Sequence, residues 1–223
     1  MCMIIRYGER ETAYLSGRDN RLAQAIAQIG PIRREVDSDL FSAVVHHIVG
    51  QQISSAAQAT IWARLLDTAG TISADTLLAL GRDRLQQVGI SYRKADYILD
   101  FACKVQCGAF DPEKVAAMDD EAAIRELTQL KGVGVWTAEM ILTFCLQRPD
   151  VVSFGDLAIL RGMRMLYRHR EIDRQRFERY RKRYSPYGTV ASLYLWAISG
   201  GAIPGLTDPA ERRRSPSGGG KRK

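Results

Sequence analysis

The chain has 223 residues, a hydrophobic content of 46% and a net charge of +7, which suffices for one large domain or two small lobes. No apolar run approaches the ~20 residues needed to cross a bilayer. Charged residues follow the short apolar stretch at the N-terminus too soon for a signal peptide. We therefore expect a cytoplasmic protein that does not enter a membrane.

The positive charge is concentrated in two segments. Residues 161–183 carry ten Lys and Arg residues against three acids, and residues 210–223 carry six against one. The remainder of the chain is slightly acidic. Concentrated charge of this kind favours a polyanionic partner. On charge alone, a solvated helix face and a disordered tail explain the same pattern equally well.

Amphipathic helical periodicity recurs along the chain in segments separated by short turns. No segment alternates apolar and polar residues as a half-buried strand does, and no strand–helix–strand pattern is present. The sequence therefore predicts an all-α fold of about ten short helices with connections of ordinary length. In chain order, the predicted helical segments are 39–54, 55–70, 76–81, 92–105, one beginning in 111–114, 121–130, 157–167, 173–184 and 185–201.

The segment from Pro209 onward, PAERRRSPSGGGKRK, lacks apolar residues other than one Ala. A segment of this composition cannot bury enough apolar surface to fold. We therefore expect one folded domain over residues 1–208 and a disordered basic tail over residues 209–223.

The four cysteines do not predict a metal site. Cys103 and Cys107 would share a helix face, but two thiols supply only half of a zinc site and no histidine is near them in sequence. The cysteine spacing of an iron–sulfur cluster is also absent. We expect no metal to be bound by side chains.

The segment LKGVGVWTAEM, residues 130–140, contains two glycines separated by one residue. Gly132 and Gly134 permit a tight turn with positive φ at no steric cost, and Val133 between them can anchor the turn in a core. Thr137 falls in the first turn of the next helix, whose N-terminal amides and dipole suit a phosphate. The segment predicts helix, hairpin, helix, although a Gly-x-Gly turn alone is weak evidence.

A single carboxylate begins the helix that follows. Asp156 lies in VVSFGDLAI, about twenty residues after the hairpin, in a chain with few other candidate catalytic groups. A helix N-cap is the simpler explanation of an aspartate at this position. Capping and catalysis are compatible, so both roles stay open on the residues alone.

Together these segments resemble the helix-hairpin-helix DNA glycosylases, whose hairpin is followed by an aspartate at the distance of Asp156. Other similar segments are RDNRLAQAIAQIGPI, FSAVVHHIVGQQISSAA, VGISYRKADYI and SLYLW, so the resemblance covers about residues 16–203. The nearest subfamily is the alkylation-repair type, 3-methyladenine DNA glycosylase II, without the β-rich N-terminal domain that some members carry. The residues that match the hairpin pattern are Leu130, Gly132, Val133, Gly134, Thr137 and Ala138.

The resemblance implies an all-α fold of two interleaved helical lobes around a cleft, with a helix-hairpin-helix motif and no iron–sulfur cluster. It implies a monofunctional glycosylase of base excision repair that flips a 3-methyladenine or 7-methylguanine nucleotide out of duplex DNA and hydrolyses the N-glycosidic bond. Asp156 would stabilise positive charge on the sugar and orient water. Two alternatives stay open: a glycosylase for deaminated or oxidised bases, and a non-catalytic DNA-binding protein.

Two tryptophans are implied at the lesion pocket, where aromatic rings attract a cationic base. These are Trp136, directly after the hairpin, and Trp196, in the last helix; core packing is the alternative for each. Strand-cutting members of the family have a catalytic lysine at the Trp136 position. The resemblance therefore implies that this enzyme does not cut the strand.

Gln52, with Gln51 beside it, is implied as the wedge that fills the gap left by the flipped base, although both could be ordinary loop residues. The implied phosphate-binding hairpin comprises Lys131, Gly132, Val133, Gly134 and Thr137. The other expected DNA contacts are Ser54, Arg93, Lys94, Arg161 and Arg164. Of these, Arg161 and Arg164 form a stripe with Arg168 that could also face solvent.

The expected partner is duplex DNA with damaged bases, bound by a monomer that associates with the nucleoid if the source is bacterial. No cofactor is expected, although a monovalent cation on the hairpin backbone carbonyls is compatible with the resemblance. Lys131, Ser153 and Gly188 depart from the family pattern, which bears on substrate range more than on the fold.

Overall fold

The computed structural model describes residues 3–210, and its regular structure is almost entirely helical. The predicted tail therefore lies outside the described residues from position 211 onward. In chain order the elements are β1 (Met3–Ile4), α1 (Glu9–Arg18), α2 (Asn20–Ile29), β2 (Glu35–Val36), α3 (Leu40–Gly50), α4 (Ser55–Ala69), α5 (Ala74–Gln87), α6 (Tyr92–Gln106), α7 (Pro112–Ala117), α8 (Asp120–Leu127), α9 (Val135–Phe144), α10 (Leu157–Tyr167), α11 (Arg174–Tyr184) and α12 (Gly188–Ser199).

The prediction of an all-α fold is confirmed, with one helix that the sequence pattern did not reveal. This helix is α1, whose only buried residue is Leu15, so it lacks the apolar stripe that identifies an amphipathic helix. The short strands β1 and β2 pair antiparallel. Helix α5 is longer than predicted and contains a break at Gly81, where φ is 70° and ψ is 176°.

The helices group into two compact units that interleave along the chain. Within the described residues, unit 1 comprises 3–5 and 34–148, and unit 2 comprises 6–33 and 149–210. Unit 1 therefore contains the β1–β2 pair and α3 to α9, whereas unit 2 contains α1, α2 and α10 to α12.

Helices α3 and α9 are the interior helices of unit 1, because both are apolar on most of their surface. Aromatic packing ties α3 to α6: the rings of Phe41 and Phe101 stack with centroids 4.8 Å apart, and Phe110 meets Phe101 edge-on at 5.4 Å. Leu130 and Val133, in the connection between α8 and α9, are buried as well. The hairpin is thus attached to the core of unit 1.

Unit 2 is built around the close approach of α10 and α12. A Cβ atom at Gly162, in the middle of α10, would collide with the backbone carbonyl of Leu195 in α12. Glycine is therefore required there, since any side chain would push the two helices apart. This contact fixes α10 relative to α12, and both helices carry predicted site residues.

No helix within residues 3–210 is both long and apolar enough to cross a membrane. In the same part of the chain, no three His, Cys, Asp or Glu side chains are grouped so that they could hold a metal ion.

Candidate functional site

Residues 128–134 connect α8 to α9 as a tight hairpin. The Val133 amide donates to the Leu130 carbonyl at 3.0 Å, and the Val133 side chain is buried. Gly132 has φ +83°, in the left-handed region that favours glycine. Helix, hairpin and helix thus follow each other as the sequence predicted.

The N-terminus of α9 is accessible to a ligand. Gly134 is its N-cap residue, and no side chain caps it. Gly134, Val135 and Trp136 are all exposed. An uncapped and exposed helix N-terminus presents backbone amides and the positive end of the helix dipole, a combination that binds phosphate. The first turn of α9 is therefore a candidate contact for a DNA backbone.

The turn between α3 and α4, residues 51–54, is the candidate wedge, and we call it the wedge turn. Gln52 is exposed and has φ +58°, which is uncommon for a residue with a side chain. Ser54 is the N-cap of α4, and its hydroxyl accepts a hydrogen bond from the Ala57 amide at 3.2 Å. Gln51 turns toward the hairpin, where its Nε2 donates to the Gly132 carbonyl at 2.6 Å.

Helix α6 holds the wedge turn and the hairpin through three residues spaced one turn apart. Lys94 Nζ donates to the carbonyls of Val49 and Gln51 at 2.8 and 2.7 Å. The Tyr97 ring lies against Gly132, where an added Cβ would come within 2.5 Å of it. Three residues apart on a helix face, these side chains are neighbours. The wedge turn and the hairpin therefore share one support.

The third residue of this support is Asp100, which binds Lys131 of the hairpin. Lys131 Nζ lies 2.6 Å from Asp100 Oδ1, and Lys104 Nζ lies 3.1 Å from Asp100 Oδ2. The hydrogen bond from Lys131 is the main reason why the pKa of Asp100 is lowered. The same bond raises the pKa of Lys131. Lys131 is thus held beside the turn as a cation.

Lys94, an expected phosphate contact, makes hydrogen bonds within unit 1. Its ammonium group already caps the C-terminal carbonyls of α3, as described above, and burial lowers its pKa. Its neighbour Arg93 is exposed, with no hydrogen-bond or ion-pair partner among residues 3–210. Arg93 is thus the more accessible of the two predicted phosphate contacts.

Asp156 is the N-cap residue of α10, in unit 2. Its Oδ1 accepts hydrogen bonds from the amides of Ala158 and Ile159, both at 2.9 Å. The residue is only 6% exposed, whereas its neighbour Leu157 is 80% exposed. Two amide donors fix the orientation of the carboxylate. Helix α10, which begins directly after it, is held against α12 by the close approach at Gly162. The predicted cap is present, and it is compatible with a catalytic role.

The two predicted pocket tryptophans have different environments. Trp136, in unit 1, is 45% exposed. Trp196, in unit 2, is partly buried and packs against the core cluster of that unit. Asp156 and Trp196 therefore belong to unit 2, whereas Trp136, the hairpin and the wedge turn belong to unit 1.

Three large apolar residues beside predicted site residues were missed by sequence reasoning. Ile53 follows Gln52 and is 37% exposed, Val135 precedes Trp136 and is 57% exposed, and Leu157 follows Asp156. Single exposed apolar side chains are common on protein surfaces, so these three are candidates only because they adjoin predicted site residues. Only their exposure reveals them, because helical periodicity assigns apolar residues to a core.

Arg161 and Arg164, which were expected to contact DNA or to face solvent, both approach Asp208. Arg164 makes a two-pronged contact with Asp208, through Nε to Oδ1 at 3.0 Å and Nη2 to Oδ2 at 2.5 Å. Arg161 Nε lies 3.9 Å from the same carboxylate, which is 2% exposed. The hydrogen bond from Arg164 lowers the pKa of Asp208. Arg164 is therefore paired within unit 2, and its expected role as a DNA contact stays a prediction.

Comparisons with known proteins agree on one family. The family model described as HhH-GPD superfamily base excision DNA repair protein matches residues 45–186, which include the wedge turn, the hairpin and Asp156. DNA-3-methyladenine glycosylase 1 of Schizosaccharomyces pombe is 29% identical over 194 residues, or 83% of this chain and 85% of that protein.

Two solved structures have the same fold over most of the chain. The crystal structure of a DNA-3-methyladenine glycosidase from Bacillus halodurans is 33% identical, with a TM-score of 0.78, and the match covers 89% of this chain and 93% of that one. The Schizosaccharomyces pombe 3-methyladenine DNA glycosylase, solved in complex with abasic DNA, is 27% identical with a TM-score of 0.76, covering 86% and 97%.

Proposed function

Because the chain belongs to the HhH-GPD superfamily of base excision DNA repair proteins, we propose that it is a monofunctional DNA glycosylase that excises alkylated purines from duplex DNA. The observation that carries this proposal is Asp156, a carboxylate oriented by two backbone amides at the N-terminus of α10. The similarity to 3-methyladenine glycosylases supports the substrate class.

The chemistry of an alkylated purine explains why one carboxylate suffices. A purine methylated at N3 or N7 is already cationic, so it leaves readily without a general acid. Breaking its glycosidic bond develops positive charge at C1′ of the sugar, which a fixed carboxylate stabilises. A preorganised charge of this kind contributes a few kcal/mol, or about 10²–10³ in rate. Asp156 would also orient the attacking water.

Access to C1′ requires the damaged nucleotide to leave the base stack, at a cost of a few kcal/mol. We assign the wedge to Gln52, which is exposed at the tip of the wedge turn. Stacking on the cationic base is assigned to Trp136 and Trp196, since indole rings attract cations through their faces. The exposed Leu157 beside Asp156 adds an apolar contact for the sugar or base.

The hairpin is the proposed contact for the phosphates next to the lesion. Its uncapped helix N-terminus and the cationic Lys131 both favour an anion. A monovalent cation on the hairpin carbonyls would have to share the Gly132 carbonyl with Gln51, which donates to it at 2.6 Å. No step of the proposed reaction requires that cation.

The absence of strand cutting follows from the residues at the hairpin. Cutting needs an amine nucleophile that forms a Schiff base at C1′, and Trp136 occupies the position of that amine. Lys131 is close in sequence, but the hydrogen bond to Asp100 raises its pKa and so disfavours the neutral, nucleophilic form. We therefore assign base release alone to this protein.

The first experiment measures release of free base from methylated duplex DNA, with duplexes containing uracil or 8-oxoguanine in parallel. We expect release of 3-methyladenine and 7-methylguanine, and little release from the other two duplexes. Release of uracil or 8-oxoguanine instead would favour the alternative glycosylase. Tight duplex binding without any release would show a non-catalytic binding protein.

The role of Asp156 is tested by Asp156→Asn, which retains the capping oxygen but removes the charge. Single-turnover excision should fall by at least about 10², while binding to abasic duplex is retained. Asp173→Asn is a matched control, because Asp173 caps α11 in the same unit through one amide contact at 2.7 Å. Equal activity of the two variants would refute the catalytic assignment.

The assignment to base release alone is tested by treating a reaction with borohydride, which reduces any Schiff base to a stable protein–DNA adduct. We expect no adduct. An adduct that forms with the parent protein and disappears in Lys131→Ala would identify Lys131 as a nucleophile and overturn this assignment.

A further inference from the structure

The basic segment of the sequence folds into the C-terminal end of α10, the following turn and α11, all in unit 2. Arginines from these elements and one from α2 are exposed. We call this group the basic surface. It consists of Arg21, Arg168, Arg170, Arg176, Arg179 and Arg183.

His169 lies within the electrostatic influence of three of these arginines, Arg21, Arg176 and Arg179. Its Nε2 lies 2.7 Å from the Tyr180 hydroxyl. Burial lowers the pKa of His169, and the positive charges of Arg176, Arg21 and Arg179 lower it further, against a smaller opposite effect of Asp173. Side chains from α2 and α11 thus act together on an imidazole at the end of α10.

A rigid aromatic base supports the basic surface. The rings of Tyr167 and Tyr180 stack with centroids 3.8 Å apart and planes 7° from parallel. The Tyr167 hydroxyl donates to Asp19 Oδ2 at 2.8 Å and lies 2.8 Å from the Tyr184 hydroxyl. Because these partners are buried, the helices that carry the arginines are held in fixed relative positions.

Acidic side chains neutralise only part of this charge. Arg183 reaches Asp19 at 3.3 Å, but that carboxylate is buried and also caps α2. Arg176 lies at the weak distance of 3.9 Å from Asp173. Among residues 3–210, no hydrogen-bond or ion-pair partner is present for the side chains of Arg168, Arg170 and Arg179.

The basic surface is separate from the proposed catalytic carboxylate. Asp156 is the N-cap and Arg168 the C-cap of α10, so at 1.5 Å per residue they are about 18 Å apart along the helix. At 3.4 Å per base pair, this distance corresponds to about five base pairs of duplex. Arg168 and its neighbours therefore lie at the end of α10 that is farther from Asp156.

We propose that the basic surface is a second DNA-binding site, which binds duplex phosphates outside the lesion footprint without regard to sequence or damage. Planar guanidinium groups bind phosphate through two parallel hydrogen bonds. The guanidinium groups of Arg168, Arg170 and Arg179 are unpaired within residues 3–210 and so are available for such bonds. The choice of DNA among polyanions rests on the proposed function. The phosphates belong either to a distant part of the lesion-bearing duplex or to a second duplex.

The test compares the triple variant Arg168→Glu/Arg170→Glu/Arg179→Glu with a control of equal charge change. The control is Arg64→Glu/Arg84→Glu/Arg125→Glu, whose arginines are exposed in unit 1. Each protein is saturated with a short abasic duplex that has about three base pairs on either side of the abasic site, so that it ends well short of the distance between Asp156 and Arg168. A labelled undamaged duplex is then titrated in, and its binding is measured at several salt concentrations.

We expect the undamaged duplex to bind the parent protein and the control, and to bind the basic-surface variant at least about tenfold more weakly. The salt slope of the variant should fall by about 0.9 for each lost phosphate contact. Excision from the short lesion duplex should be the same in all three proteins. A long lesion duplex tests the other source of phosphates. If the variant binds this duplex more weakly than the parent protein does at one duplex per protein, the phosphates belong to the lesion-bearing duplex itself.

His169 gives a readout that is independent of activity. The chain has three histidines, and phosphates at the basic surface should raise the pKa of His169 by offsetting the arginine charges, while His46 and His47 in unit 1 are unaffected. This shift, followed by NMR on adding undamaged duplex, should be absent in the variant. A matching Arg→Gln triple variant, which adds no negative charge, should lose the shift as well, and unchanged signals of His46 and His47 exclude a general loss of folding.

Three outcomes would overturn the proposal. An equal loss of binding in variant and control would mean that only net charge matters. A loss of excision on the short duplex would place the arginines within the lesion footprint. Binding of an acidic peptide, but not of duplex DNA, to the saturated protein would identify a different class of partner.

Discussion

Gln52 is one of three residues other than glycine that have a positive φ in the part of the chain that the structure describes, together with Gln147 and Arg168. Its φ of +58° costs roughly 1 kcal/mol for a residue with a side chain. The conformation persists because both sides of the turn are held: Lys94 binds the Gln51 carbonyl, and Ser54 caps α4. Such strain is found at functional sites, where it presents one side chain in a fixed direction.

The strain at Gln52 gives a prediction in which substitution changes the stability little but reduces the activity strongly. Gln52→Gly relieves the strain but increases the entropy of the unfolded chain, so the free energy of unfolding should change by less than about 1 kcal/mol. Gln52→Ala keeps the strain, so its free energy of unfolding should be no higher than that of the parent protein. Both variants lose the wedge, so both should excise alkylated purines much more slowly.

Chemical unfolding and single-turnover excision measure the two quantities. Gln58→Ala, in the adjoining helix, is a control that removes a glutamine that donates to the His46 carbonyl at 3.0 Å. It should lose stability rather than activity. Normal excision by Gln52→Gly would assign the wedge to another side chain.

Single residues were predictable from the sequence where their role is local. The Gly132 turn and the Asp156 cap depend on neighbours within a few positions, and both are present in the structure. The partners of Lys94 and Arg164 are forty or more residues away, Val49 and Asp208 respectively. No short pattern reveals such pairs, so neither was foreseen when Lys94 was expected to contact phosphate and Arg164 to face DNA or solvent.

At the scale of elements, α6 is the part of unit 1 on which the candidate DNA-contacting turns depend. It holds the wedge turn through Lys94 and the hairpin through Tyr97 and Asp100. The Gln51–Gly132 hydrogen bond joins the two turns directly. A displacement of α6 would therefore move the wedge and the phosphate contact together.

Lys94→Met tests this coupling. The carbonyls at the end of α3 would lose a charged donor, so the free energy of unfolding should fall by about 1–3 kcal/mol. Excision should fall further than the loss of folded protein explains, because the wedge turn is released. Lys114→Met, an exposed lysine of α7, is the control and should change neither.

A double-mutant cycle makes this prediction more specific. Lys94 and Gln51 act on the same turn, so the effects of Lys94→Met and Gln51→Ala on excision should be less than additive. Simple additivity at saturating enzyme would show that α6 supports the two turns independently.

The helices themselves were predictable to the extent that they bury a continuous apolar stripe. Helices α3, α10 and α12 do so, and their segments were recognised from periodicity. Helix α1 buries only Leu15, and its remaining surface is polar. The predicted segment 76–81 ended at Gly81, where α5 has its break, and the continuation of α5 to Gln87 was missed, because a glycine inside a helical pattern does not itself show whether the helix resumes.

At the scale of the molecule, charge is divided between the folded part and residues 211–223, which lie outside the described residues. This division predicts the effect of a deletion. Removing residues 211–223 leaves the bond from the Ala210 amide to Asp208, 3.0 Å long, and should lower the salt slope of duplex binding by about 0.9 for each lost phosphate contact. The relative excision of different lesions should not change.

Binding isotherms at several salt concentrations measure this slope. A variant with the Lys and Arg residues of that segment replaced by Gln is the matched control, and it should behave as the deletion does. If the deletion has an unchanged slope, the segment takes no part in DNA binding.

The interleaving of the two units has a consequence for the order in which the protein forms on the ribosome. Unit 1 is complete once residue 148 has emerged, whereas α1 and α2, made first, lack their partners until residues 149–210 follow. At 5–20 residues per second, α1 and α2 wait roughly 10–40 s for the last residue of the chain. During that interval Leu15 and Leu22, which become fully buried, are available to chaperones. A nascent chain would therefore form the hairpin, the proposed phosphate contact, before unit 2 folds and positions Asp156, the proposed catalytic carboxylate.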